Sequence, residues 1–353
     1  MASILGNISS PLINETSLRR IMSSQTKDNI FQNIFTKPNE AVTEKFSTDT
    51  SAAQIQVIRV KPNENKAREL GSDKNGGWFN SVDAATPTTA AYGINIIDVI
   101  DYNIDIPTTQ QDMINVDLAA AELTNLSGKV ARNINAITIA AQLAKNFNHF
   151  ANNNGIATNW VTVQEDNYLK AIFEAGAKLD EGNPDEGIDA YPDNQRAIIM
   201  RPRAKSILLQ KGQIVVGGSN YAQDIVRNGG LDVETNPQVA TTGYIGVVNN
   251  MPAYSASSVV WNLAEEYLGL PKGALDDVHM VVVSAVGCGR ALAFNESIKS
   301  IPSPVGQGIR LQPKYRFGCE CWDPFSVVVV CDGGFGNPAT ANANLTVKAP
   351  ASR

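Results

Sequence analysis

The sequence predicts an α+β protein in which one dominant helix is combined with several short strands. Three observations carry that class. From Thr109 to Asn152 apolar residues recur at helical intervals. From Tyr92 to Ile106 apolar residues alternate with small or polar ones. Val278 to Val286 and Phe325 to Cys331 are β-branched runs, the pattern of strands covered on both faces. No internal repeat or low-complexity stretch interrupts them.

The totals bound the function. A chain of 353 residues buries a sizeable core and has room for two or three domains. It is 43% hydrophobic and only 18% charged, so much of its surface is neutral and suited to burial against partners. The net charge of −6, without any Lys/Arg-dense run, argues against a protein that grips nucleic-acid phosphates. No apolar run approaches the length of a membrane span, and the first residues lack the basic start and apolar core of a secretory signal. The cysteines are Cys288, Cys319, Cys321 and Cys331; without a signal they imply a reducing compartment and no disulfide framework. Only two histidines are present, His149 and His279, which limits the commonest acid–base and metal chemistry.

Taken in order, residues 1–50 are polar and irregular. Leu18, Ile21, Met22, Ile30, Phe31, Ile34 and Phe35 are spaced for one side of a broken helix. The segment is either an arm laid on another surface or an unpacked tail. Ile55-Gln56-Val57 and Ile58-Arg59-Val60 are strand-like, and Tyr92 to Ile106 alternates as a partner strand of about 50 Å, with Asp101 and Asp105 on its polar side. The tip between them, Lys61 to Ala91, is rich in Asn, Gly, Asp and Thr and carries Trp78-Phe79. A ribbon of this length is marginal alone in water, so it needs a surface, either a neighbouring copy or an internal sheet.

The helical stretch follows. Leu123, Leu126, Val130, Ile134, Ile137, Ala141, Ala144 and Phe147 are three or four residues apart. Thr109-Gln110-Gln111-Asp112 is suited to an N-cap and Gly155 to a C-terminal cap. Continuous, it is a spine of about 60 Å. Gly128, costing roughly 1 kcal/mol against alanine, is where it divides if it is instead a two-helix hairpin. Val163 to Asp180 predicts a second helix with an apolar stripe of Tyr168, Leu169, Ile172, Phe173 and Leu179. Arg196 to Met200 is a short strand closed by Pro202, and Ala204 to Gln210 is helical. Tyr244 to Val248 is a strand, Asn249-Asn250 a turn, and Met251-Pro252-Ala253-Tyr254 an extended return.

Candidate chemistry is sparse. Gly287-Cys288-Gly289-Arg290-Ala291-Leu292 follows an apolar strand, as a dinucleotide-binding loop does. Leu292 occupies the third glycine position and no βαβ unit follows, so a tight strand-end turn is the better reading. Cys319-Glu320-Cys321 with Cys331 lacks the gaps and second ligand pair of structural zinc. Asp185-Glu186 with Asp189, and Asp276-Asp277, read as solvated loop charge. Ser255, Ser257 and Ser258 have no nucleophile-elbow context. His279, inside an apolar strand, reads as a core residue. No catalytic, cofactor or metal constellation is expected.

From Val163 onward the order of elements resembles the major capsid proteins of tailed bacteriophages. The resemblance rests on Lys178-Leu179-Asp180, on Asn194 to Pro202 with its Arg-strand-Pro arrangement, on Thr242 to Ser255 with its Gly-Tyr-Ile-Gly-Val strand, and on Ser284 to Phe294 with its closing Ala-Phe pair. It extends over roughly Ile55 to Asp332. It implies an N-terminal arm at 1–52, an extended β-hairpin loop at 53–107, a peripheral domain with the spine helix at 108–191 and 301–353, and an axial domain at 192–300. It also implies an icosahedral shell built from pentamers and hexamers around double-stranded DNA that is enclosed without sequence-specific binding. Scaffold, portal and decoration proteins are the implied partners, with no membrane. The scaffold is expected to be a separate protein, because the N-terminus is short for a full scaffolding segment. The implied location is the virion, after assembly in the host bacterial cytoplasm. Some relatives crosslink a hairpin-loop lysine to an asparagine; Lys66 and Lys74 lie in that loop, but no partner is identifiable and the role is not carried over. Trp78 and Phe79 are the expected intersubunit anchors. The alternatives are an encapsulin-like nanocompartment shell and, in a different class, an α/β nucleotide-dependent enzyme using the Gly287 loop.

Overall fold

The computed structural model describes residues 54–61, 88–99, 103–107, 118–152, 159–183, 188–211, 244–293, 299–302, 308–313, 315–332 and 345–348. Its centre is a six-stranded sheet in the order β5 (Trp160–Val163), β14 (Val327–Asp332), β9 (Val278–Ser284), β6 (Arg196–Met200), β8 (Met251–Ser255), β7 (Tyr244–Val248). The β5–β14 and β6–β8 pairs are parallel and the others antiparallel.

Why the middle strands read as unbroken apolar runs is plain from the packing. Val327, Val329, Val281, Val283, Ala197 and Ile199 join a core with helices α1 (Leu118–Asn152) and α4 (Ser258–Leu268). Their neighbours Val328, Val330, Val282, Met280, Ile198 and Met200 join a second core with α2 (Tyr168–Asp180) and α3 (Pro202–Gln210). Successive side chains point to opposite faces, so a strand covered on both sides must be apolar throughout.

Helix α1 is continuous for 35 residues, about 52 Å. Gly128 does not divide it: a Cβ there would meet nothing within 4 Å, so the glycine only lowers propensity on an exposed turn. The expected start at Thr109 and the Gly155 cap lie outside the described residues. The expected stripe is buried at Leu126, Val130, Ile134, Ile137, Ala141, Ala144 and Phe147. Burial goes further than one stripe, since every residue from Ile134 to Ala144 is enclosed, Asn135, Thr138 and Gln142 included. From Ile134 to Phe147 the spine is an internal rod with sheet on one side and α4 on another.

Two expectations about helices are corrected. Val163 ends strand β5, and α2 begins only at Tyr168, after a tight turn in which Glu165 and Asp166 take positive φ. Asn167 caps the helix by accepting a hydrogen bond from the Lys170 backbone N–H. Phe173 leaves the buried stripe and is 51% exposed. Helix α4 itself was not expected; Val260, Trp261, Ala264, Tyr267 and Leu268 form its buried side, and Gly269 ends it in the left-handed region.

The long Tyr92–Ile106 strand is three strands with three different partners. β2 (Thr88–Asn95) pairs antiparallel with β1 (Gln54–Lys61), from Gln54 opposite Asn95 to Lys61 opposite Thr88. β3 (Ile97–Asp98) pairs with β13 (Arg316–Cys321), which also pairs with β10 (Cys288–Ala293). β4 (Ile104–Pro107) pairs with β12 (Gly308–Gln312), itself paired with β11 (Lys299–Pro302). Ile97, Val99 and Ile104 are buried only because the chain leaves the ribbon and turns onto the body. Asp98 and Asp105 occupy the polar side and meet Arg316 at 2.7 Å and Arg310 through a two-point contact at 2.7 and 2.6 Å. The internal-sheet alternative therefore holds for β3 and β4, while β1 and β2 form a two-stranded sheet.

In the central sheet, β5 and β14 come from residues 160–163 and 327–332 and β6 to β9 from residues 196–284.

Candidate intersubunit surface at the hairpin base

The base of the β1–β2 hairpin is seated by close backbone contact. A Cβ on Gly318 would lie 2.4 Å from the Asn95 carbonyl oxygen, and one on Gly289 would lie 2.4 Å from the Trp322 ring. Glycine at both positions lets β2 press onto β10 and β13. Ile94 is fully buried there, and the Tyr92 ring stands 5.7 Å from that of Trp322.

Beside this seat is a cleft of about 390 Å³, lined by Asn95, Lys145, His149, Glu320, Leu345 and Thr346 among others. Burial pushes the Glu320 carboxyl up to about 7, with Lys145 opposing the rise. His149 is held below its ordinary value, first by burial and then by Lys145, with Asp323 acting the other way. One wall is an extended strap, residues 345–348. Asn148 holds it with both halves of its amide: Nδ2 donates to the Leu345 carbonyl at 2.7 Å and Oδ1 accepts from the Leu345 N–H at 2.8 Å. The Lys348 N–H donates to the Tyr267 carbonyl, so the strap joins α1 to α4.

Behind the cleft, buried Asp323 ties the turn before β14 to the loop before β6. It accepts from Asn183 Nδ2 at 2.9 Å, from the Tyr191 hydroxyl at 2.5 Å and from the Phe325 N–H at 3.0 Å. The two arginines of the Arg-strand-Pro segment are structural. Arg196 donates to the Tyr191 carbonyl and contacts Asp180 at 2.6 Å and Asp193 at 3.1 Å. Arg201 lies over the Trp261 ring and donates to the carbonyls of Val278 and Leu275, each at 2.7 Å.

The Gly287 loop does not cradle phosphate. A short 3-10 turn, Ala285–Gly287, leads straight into strand β10, so no helix N-terminus among the described residues faces the loop. A Cβ on Gly287 would strike Ser326 Oγ at 1.9 Å, so the glycine serves packing, and the nucleotide-enzyme alternative loses its site. Cys319 and Cys321 are buried on β13 while Cys331 is on β14, its Sγ 3.9 Å from the Val161 carbonyl. Among the described residues no group of three or more His, Cys, Asp or Glu is arranged to hold a metal ion. His279 is a core residue as expected, edge-on to Tyr168, with its Nε2 2.8 Å from Asp332 Oδ1. Trp78, Phe79, Lys66, Lys74 and the Asp185-Glu186 pair lie outside the described residues. Glu320 and Asn148, which shape the cleft, carry no pattern that singles them out in the sequence. No helix among the described residues is long and apolar enough to cross a membrane.

No protein-family model matches the sequence, and no curated protein matches it. Solved structures do. The capsid structure of the cyanophage P-SCSP1u is similar at 14% identity over 80% of this chain and 84% of that one, with a TM-score of 0.50. The asymmetric unit of the bacteriophage PhiM1 mature capsid is similar at 11% identity over 87% of each chain, also with a TM-score of 0.50. A structure from Mycobacterium phage Bobi reaches the same score at 10% identity, over 87% of this chain and 91% of that one. At such identities the likeness shows architecture: the chain has the α+β fold of bacteriophage capsid proteins.

Proposed function

We propose that this chain is the major capsid protein of a tailed bacteriophage, assembling into an icosahedral shell around double-stranded DNA. The observation that carries the reading is the fold shared with phage capsid structures. The β1–β2 ribbon supports it: its base is seated on the chain's own β10 and β13, and beyond the base it is a two-stranded sheet of a kind that gains stability from another surface. Head-to-tail contacts of one surface with a different surface close into rings, here pentamers and hexamers. Many weak contacts become collectively strong once the shell closes. A net charge of −6 keeps the wall from condensing onto enclosed DNA.

In this reading the protein is structural rather than catalytic, and it resides in the virion after assembly in the host cytoplasm with a scaffold and a portal. Residues 1–52 are the arm and 53–107 the hairpin loop, with peripheral and axial regions built on the central sheet. Trp78 and Phe79 anchor the hairpin tip on a neighbouring copy. Electron microscopy of the purified protein tests the reading. Large closed or partial shells are expected, and a uniform small oligomer refutes it. Replacing Trp78 and Phe79 together by alanine is expected to lower shell yield; unchanged yield removes their role as anchors and leaves the shell reading intact.

A further inference from the structure

The geometry points to a disulfide site at Cys288 and Cys321, whose thiols join under oxidising conditions and lock β10 to β13 beneath the hairpin base. The two residues are directly opposite in the antiparallel pair. The adjacent pair is the hydrogen-bonded one, since the Trp322 N–H donates to the Gly287 carbonyl at 3.0 Å. Positions 288 and 321 are therefore a non-hydrogen-bonded pair, in which Cα atoms approach to about 4.5 Å. A disulfide accepts Cα separations of about 4.4–6.8 Å. The two Sγ atoms are 3.0 Å apart and both thiols are free. Neither remaining cysteine competes, because Cys319 is opposite Arg290 and Cys331 belongs to the central sheet.

Both side chains are buried, and burial pushes the Cys288 thiol well up, so Cys288 stays protonated and unreactive in a reducing compartment. A small oxidant of the hydroperoxide class is needed. The Cys288 sulfur, losing its proton, attacks one peroxide oxygen and becomes a sulfenic acid, releasing water. The Cys321 sulfur then attacks the sulfenic sulfur and expels the hydroxyl, which leaves as a second water with the Cys321 proton. The two thiols give up two electrons and the O–O bond accepts them. The effect is local, because Trp322, next in sequence, is the ring against which Tyr92 leans.

The test treats full-length protein with hydrogen peroxide, then alkylates it under denaturing conditions for peptide mass analysis without reductant. A peptide pair joining 288 to 321 is expected, two hydrogens lighter than the free thiols. The thermal midpoint of the oxidised sample should exceed that of the same sample in dithiothreitol by about 5 °C. Cys288→Ser and Cys321→Ser should each abolish that difference, while Cys319→Ser should keep it. Alkylated Cys288 and Cys321 after peroxide treatment of protein with an unchanged circular dichroism spectrum overturns the proposal, as does a bond from either residue to Cys319.

Discussion

Glu320 is placed where water reaches it poorly, and its titration has a definite sign. Its folded value, about 7, is above the ordinary 4.5, so folding disfavours the charged form. Wild-type stability therefore falls as pH rises from about 4.5 to about 7 and is level above that. Glu320→Gln keeps the shape without the charge. It should be more stable than wild type by about 1–3 kcal/mol at pH 8, with the gap closing at pH 4.5; denaturant titrations at the two pH values read this directly. A gap of equal size at both would show that packing, not charge, separates the two proteins. A second residue-scale cost is in the turn between β5 and α2. Glu165 and Asp166 have φ of 52° and 54°, a region that favours glycine and asparagine. Glu165→Asn with Asp166→Gly should raise the unfolding free energy by about 1 kcal/mol.

At the scale of elements, the Asn148 clamp makes the strap dependent on one side chain. Asn148→Ala removes two hydrogen bonds and should cost about 1–2 kcal/mol. Amide exchange should quicken at residues 345–348 more than in the central sheet. Gly318→Val should unseat the hairpin base, because its Cβ meets backbone that cannot swing aside; loss of shells with retention of a folded subunit is the expected result. Elements differed in how clearly the sequence announced them. β9, β14 and the spine were legible because burial on every side demands uninterrupted or periodic apolar residues. Asn249-Asn250 announced its turn, and both residues take positive φ. Helix α4 carried a usable signal, Val260, Trp261, Ala264, Tyr267 and Leu268 closed by Gly269, but Ser255 to Ser258 drew attention to its polar start instead. The three-way division of Tyr92–Ile106 had no local signal. Alternation continues through all three strands, and only distant partners decide where the ribbon ends. The cleft was invisible for the same reason, since Glu320 and Asn148 acquire their surroundings from elements remote in sequence.

For the whole molecule, the shell reading sets mutational effects apart from those on folding. Changes inside the two cores should lower subunit yield and shells together, whereas changes at the ribbon should lower shells alone. The sheet order adds a temporal consequence. β14 is inserted between β5 and β9, yet it is the last of the three to leave the ribosome. Until residue 332 has emerged, β5 has no mate in that sheet and the flank of β9 is open, an unpaired edge that invites pairing with other nascent chains. Chains ending before Val327 should accordingly be recovered in the pellet rather than the supernatant, and synthesis of this protein should lean on chaperones until β14 is delivered.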